Sequence, residues 1–218
     1  MLQLKSTRLS QFGAREIDWS NPITQGFSDA ILMGDQVINR NAEQINTGAV
    51  KKNGVSMLGV GVDIPNAAHK IEYLDPLFNP PSSSSFTILA VYQLRTTNGR
   101  LMGSFASTTY GQLFLPNGSN FRYGVAGGGN TIITGGAVHT RPKIDVGRYD
   151  GTSVSYFENG RLSGTATGGY NNGIRNFSIG AVDTSACLSI VPLVAFWSRA
   201  LSDSEVGSIS ANPWQLFR

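Results

Sequence analysis

Lys143-Ile144-Asp145-Val146-Gly147-Arg148-Tyr149-Asp150-Gly151-Thr152-Ser153-Val154-Ser155-Tyr156-Phe157-Glu158-Asn159-Gly160-Arg161-Leu162-Ser163-Gly164 is the stretch on which the fold turns. Two strand-like runs flank Asp150-Gly151, a dipeptide of I′-type hairpins. Glu158-Asn159-Gly160 then turns the chain into a third run, Arg161-Leu162-Ser163-Gly164. Asp-Gly and Asn-Gly supply the positive φ that tight turns need, so the stretch reads as three antiparallel strands.

The pattern continues outward. In Phe86-Thr87-Ile88-Leu89-Ala90-Val91-Tyr92-Gln93-Leu94, residues 86, 88, 90, 92 and 94 share one face and Leu89 and Val91 the other. Both faces are apolar at the centre, which predicts a strand in mid-sheet. Pro116-Asn117-Gly118 predicts a hairpin between the runs 112–115 and 120–125, and Thr97-Asn98-Gly99 gives a similar signal before Arg100-Leu101-Met102. Gly127-Gly128-Gly129 reads as a hairpin tip. Residues 188–197 form the last long strand, with Pro192 predicting an edge position or a bulge. Glycines in Val55-Ser56-Met57-Leu58-Gly59-Val60-Gly61-Val62 hint at another bulge. Roughly ten to thirteen short strands, with turns about every eight to twelve residues, describe a two-sheet sandwich.

Composition agrees. Only 14% of residues are charged, against about 25% in an average domain. The 26 glycines suit turns and disfavour long helices. β-Sandwiches often run to about 200–250 residues as one unit, so 218 residues predict a single domain, 1–218. Residues 1–50 are its least regular part, and Leu2, Leu4, Phe12, Trp19 and Phe27 are spaced along them as in a segment that docks on a partner. Asn79-Pro80-Pro81 and Ser82 to Ser85 read as a surface loop rather than a linker. A net charge of +3 with scattered basic residues is not the basic stripe of a nucleic-acid binder. No window approaches the ~20 apolar residues of a membrane helix. The N-terminus lacks the apolar stretch of a signal peptide, which predicts a chain made in the cytoplasm. Cys187, the single cysteine, excludes an internal disulfide and reads as a buried thiol.

One helix is well signalled. Ser202-Asp203-Ser204-Glu205 is a capping box, with Leu201 and Val206 placed as a hydrophobic staple, and the helix ends before Asn212-Pro213. Val194-Ala195-Phe196-Trp197-Ser198-Arg199-Ala200-Leu201-Ser202-Asp203-Ser204-Glu205-Val206 resembles the closing strand and capped helix of laminin-G-like and concanavalin-A-like jelly rolls. The hairpin pair at 146–162 is similar to theirs. Ile17-Asp18-Trp19-Ser20-Asn21-Pro22 and Ser210-Ala211-Asn212-Pro213-Trp214-Gln215-Leu216-Phe217 resemble the ends of such proteins encoded by bacteriophages and prophages. The resemblance implies an all-β, two-sheet antiparallel jelly-roll sandwich (concanavalin A-like) with one short C-terminal helix. Asp150-Gly151, Asn159-Gly160, Trp197, Trp214 and Glu205 read as architecture.

Chemistry is sparse. Some jelly rolls of this kind are glycosidases, which need two carboxylates about 5–9 Å apart across a cleft. Glu16 and Asp18 share a face but lie in the irregular segment; Asp203 and Glu205 belong to the cap; Glu72 and Asp75 point oppositely on a strand; Glu158 sits in a turn. No serine has a nucleophile-elbow context, and His69 and His139 do not form a zinc pattern. Asp63, Asp75, Asp145 and Asp183 suit calcium by residue type alone, and no dense acidic loop supports it. The expectation is no cofactor, no metal and no enzyme activity.

Two binding functions remain. The first is a non-catalytic bacteriophage virion structural protein: a capsid decoration or a head or tail accessory protein. Its partners would be phage capsid or tail proteins and copies of itself, and its location the virion. The second is a glycan-binding module contacting host surface polysaccharide. Tyr110, Tyr123, Tyr170, Asn171 and Asn172 are the residues that would stack on sugar rings or bond hydroxyls.

Overall fold

A computed structural model describes residues 17–32, 36–39, 50–53, 56–58, 61–64, 70–73, 85–106, 109–126, 130–169, 177–182 and 185–217. The chain is an antiparallel β-sandwich. Its strands are β1 (Phe27–Leu32), β2 (Gln36–Asn39), β3 (Val50–Asn53), β4 (Ser56–Leu58), β5 (Gly61–Ile64), β6 (Lys70–Tyr73), β7 (Phe86–Leu94), β8 (Met102–Ala106) and β9 (Thr109–Pro116). They continue with β10 (Asn120–Ala126), β11 (Asn130–Ala137), β12 (Lys143–Tyr149), β13 (Ser153–Glu158), β14 (Arg161–Thr167), β15 (Phe177–Ile179), β16 (Ala181–Val182), β17 (Ser185–Ala186) and β18 (Ser189–Trp197). One helix, α1 (Asp203–Ala211), follows.

The nine-stranded sheet runs β14-β13-β12-β7-β18-β1-β2, with β5 also on β18 and β4 on β5. The seven-stranded sheet runs β11-β10-β9-β8-β15-β6-β3. Strand β7 is central, and its two apolar faces serve two cores. Phe86, Ile88, Ala90, Tyr92 and Leu94 pack between the sheets with Met102, Phe114, Phe121, Tyr123, Val125, Phe177 and Ile179. Leu89 and Val91 look the other way, into a second core with Trp197, Val206, Ile209 and Phe217. The centre of the nine-stranded sheet is therefore covered on both faces.

Helix α1 belongs to that second core. Ser202 and Glu205 close the reciprocal cap, with Ser202 N–H donating to Glu205 at 2.7 Å and Glu205 N–H to Ser202 Oγ at 3.3 Å. Nine residues are too few for a stable isolated helix. Burial of Leu201, Val206 and Ile209 holds it, at about 1.5–3 kcal/mol each. Arg199 grips Glu205 through both nitrogens, at 2.9 and 2.5 Å. It holds the carboxyl down at about 2, with the Ser202 hydrogen bonds helping against burial.

The two terminal motifs are clasped together. Ile17 bridges Phe217, Asp18 N–H donates to the Leu216 carbonyl at 2.8 Å, and Asn21 Nδ2 donates to the Gln215 carbonyl at 3.0 Å. Ile17, Ile23 and Phe27 are buried in the second core, and Trp19, half exposed, lies edge-on to Phe27. Residues 17–32 thus serve the domain's own packing; Leu2, Leu4 and Phe12 of the expected docking segment lie outside the described residues.

Several local expectations need correction. Of the two readings of Pro192, the edge fails and the bulge holds: β18 is central, and its register with β7 shifts between Ile190 and Leu193. The proline sits where the opposite side of β18 passes from β5 to β1, a point without ladder bonds to lose. Asn98-Gly99 is not a hairpin, because β7 and β8 belong to different sheets. Residues 55–62 are not one bulged strand but the paired strands β4 and β5. Asn159 and Gly160 have φ of 50° and 81°, as a I′ turn requires. At Asp150-Gly151 only the glycine is positive, so that turn is of another kind; the Asp150 carboxylate accepts the N–H groups of Thr152 and Ser153 instead.

Candidate functional site

Lys143 and Asp145 are two apart on β12 and both face the space between the sheets. Lys143 lies opposite Tyr92 of β7, and Asp145 opposite Glu158 of β13. These pairings assemble a buried polar network. The hydroxyls of Tyr92 and Tyr156 donate to Asp145 Oδ2 at 2.5 and 2.6 Å. The Lys143 ammonium lies 3.0 Å from Asp145 Oδ1, 3.0 Å from the Tyr156 hydroxyl, and against Glu158 Oε1. It also sits 3.2 Å over the centre of the Phe121 ring, whose neighbour His139 approaches edge-on.

Glu158 carries the network across to the other sheet. Its Oε2 accepts Gly136 N–H from β11 at 2.7 Å and the Ser163 hydroxyl from β14 at 2.6 Å. A side chain at Gly135 would overlap the Glu158 carboxylate and the Tyr156 ring. Glycine at Gly147 leaves space for the Tyr123 ring, which stacks on Tyr156 at 6.0 Å and 23°.

The charges are tuned accordingly. Burial pushes the Asp145 carboxyl above the ordinary range, against the pull of Lys143 and the two tyrosine hydroxyls. Burial also raises Glu158, but the Lys143, Ser163 and Gly136 hydrogen bonds overcome it and leave the group below its usual value. Burial and the Asp145 charge raise both tyrosines well above theirs. His139 is lowered by burial and by the charges of Lys143 and Arg141.

Asp145 and Glu158 are the adjacent acids that the sequence reading missed. They do not make a glycosidase pair of this cluster. Asp145 is 0% exposed, its Oδ2 accepts two hydroxyls while its Oδ1 has the ion-pair contact with Lys143 and no hydrogen bond, and the lysine stands between the acids where a sugar would lie. The network ties the sheets together. Elsewhere, among the described residues, no three His, Cys, Asp or Glu side chains converge as metal ligands.

The expected sugar contacts fare differently. Tyr123 is a correction: it is fully buried between the sheets and stacks on Tyr156, so its ring is closed to a ligand. Tyr110 lies on β9 opposite Phe105. Tyr170, Asn171 and Asn172 lie outside the described residues. The structure does not bring Tyr110 and Tyr123 together as a platform.

A different surface is open to solvent. Phe121, Tyr123 and Val125 of β10 and Ile133 of β11 point into the core, so alternation turns Arg122, Gly124, Ile132 and Thr134 to the outer face. Arg122 pairs with Thr134 and Gly124 with Ile132. Ile132 is 42% exposed, Thr134 is exposed and Arg122 partly so. The Arg122 side chain has no hydrogen bond or ion pair among the described residues, and its Nε is shut off from water without an acceptor.

No family model and no curated protein matches the sequence. Solved structures do. The binding domain of Paraclostridial Mosquitocidal Protein 1 superposes with a TM-score of 0.69 at 12% identity, over 88% of this chain and 53% of that one. A botulinum neurotoxin type C structure gives 0.65 at 10%, over 87% and 51%. Trypanosoma rangeli sialidase gives 0.64 at 15%, over 88% and 34%. The chain thus spans about half the length of the toxin structures and a third of the sialidase. At these identities the likeness is one of fold: a jelly-roll sandwich shared with toxin binding domains.

Proposed function

We propose that the protein is a non-catalytic glycan-binding module. The observation that carries this reading is the contrast between the acids whose side chains are described and the open sheet face. Asp18, Asp145, Asp150, Glu158, Asp203 and Glu205 are all engaged by neighbouring donors, which leaves them poorly suited to proton transfer. The outer face of the seven-stranded sheet instead offers a guanidinium, a hydroxyl and an aliphatic side chain, the mixture that shallow sugar sites use. Cell entry of botulinum neurotoxin type C is dependent upon interaction with two ganglioside molecules, and the shared fold supports the same class of ligand here. The test is a glycan array read alongside a polysaccharide hydrolysis panel. Saturable binding without hydrolysis is expected; hydrolysis that stops on substituting two acids would overturn the reading.

A second reading is structural: a capsid decoration or a head or tail accessory protein of a bacteriophage virion. It rests on the terminal motifs, which the fold uses jointly in the Ile17–Phe217 clasp. The N-terminal segment 1–50, apart from the packed residues 17–32, would dock on capsid or tail proteins or on further copies of the chain. Saturable co-sedimentation with assembled capsids or tails supports this role, and a chain that pellets with neither is outside it.

A further inference from the structure

We infer that Arg122, Thr134 and Ile132 form a subsite for a carboxylate-bearing sugar, such as a uronic acid residue of an acidic polysaccharide. The inference rests on the glycan-binding reading and names its ligand class. Arg122 is a permanent cation with no ion-pair or hydrogen-bond partner among the described residues, whereas Arg148 and Arg199 are each paired to an acid. Its Nε makes no bond in the resting conformation, so no hydrogen bond holds this rotamer. A ligand with two coplanar oxygens rewards turning the guanidinium outward, because it fills Nε and a terminal nitrogen together.

The surroundings fit a sugar rather than a free anion. Thr134 is the cross-strand partner of Arg122 and brings an exposed hydroxyl to the same face. Gly124, two residues from Arg122 on the same face, is buried, and Ile132 lies across from it, 42% exposed. A pyranose ring can set its C–H face against Ile132 and its carboxylate toward Arg122. This surface lies on the opposite side of the sheet from the Lys143 network, so ligand binding leaves the core untouched.

The experiment measures binding of the intact chain, at low and at elevated salt, to a uronic-acid oligosaccharide, its carboxyl-reduced neutral counterpart and a sulfated oligosaccharide. Arg122→Gln and Arg122→Lys are compared with the parent, and thermal unfolding confirms that both fold. Preferred binding of the uronic acid is expected, weakened about tenfold or more by Arg122→Gln or by carboxyl reduction, and less by Arg122→Lys, which keeps charge but loses the fork. Binding of neutral sugars that ignores Arg122→Gln overturns the subsite and leaves the glycan reading standing. Preference for the sulfated ligand overturns the carboxylate assignment. Binding of no sugar overturns both.

Discussion

Replacing Lys143 with methionine removes the cation from a network whose other members stay buried. The Lys143 and Asp145 side chains are 2% and 1% exposed, so water cannot replace the lost ammonium. Breaking a buried pair from one side costs about 3–5 kcal/mol, because the remaining charge stays desolvated. At about 2–4 °C per kcal/mol for a chain of this size, Tm falls by about 6–20 °C. The loss also depends on pH. Without the lysine, the folded-state pKa of Asp145 rises further above its unfolded value. A carboxyl raised in this way contributes stability that is fully present below the unfolded pKa, near pH 4, and is lost as pH rises through the folded pKa. The deficit of Lys143→Met is therefore largest at neutral pH and shrinks toward about pH 4. Urea unfolding followed by tryptophan fluorescence at several pH values measures it. The double variant Lys143→Met, Asp145→Asn keeps an acceptor for the two tyrosine hydroxyls and is expected to recover more than half the loss. A single variant within about 1 kcal/mol of the parent at pH 7, or a double variant no better than the single, refutes the account of the network.

Gly147→Ala drives a methyl into the Tyr123 ring and is expected to cost about 1–3 kcal/mol in urea unfolding, with relief from an added Tyr123→Leu. Glu205 has a folded pKa of about 2, below its ordinary 4.5, so its stabilising share is present above pH 4.5 and lost as pH falls toward 2. The stability gap between the parent and Glu205→Gln should close over that window in acid titrations of Tm. Cys187 is buried, and burial raises its thiol. A thiol reagent at pH 8 should label it only on unfolding; rapid labelling of the native chain would place the residue wrongly.

The parts of the fold written in local chemistry were legible. The Asn159-Gly160 turn, the mid-sheet character of β7 and the Ser202–Glu205 cap follow from residue types at fixed offsets. The polar network was not. In the β12 segment, alternation suggests that Ile144 and Val146 go in while Lys143 and Asp145 stay out. Both faces are in fact buried, because α1 covers one and the second sheet the other. A signal was present: Tyr92 lies across from Lys143, and Tyr156 is one same-face step from Glu158. Only strand register brings these together, and register is a long-range property. Tyr123 misled for the same reason. An aromatic in a Gly-rich hairpin looks available for stacking, yet alternation within β10 sends it inward and Arg122 outward.

The clasp between the two ends has a mechanical consequence. Ile17 and Phe217 sit side by side, so tension applied to the chain on either side of them loads their few hydrogen bonds one after another. Past the clasp, Phe27 and Trp197 are again direct partners, and the same pull would peel β1 from β18 rather than shear it. A protein tethered by both ends should open at low force, beginning at this seam, while one gripped through a single end or through its sheet face would leave the seam unloaded.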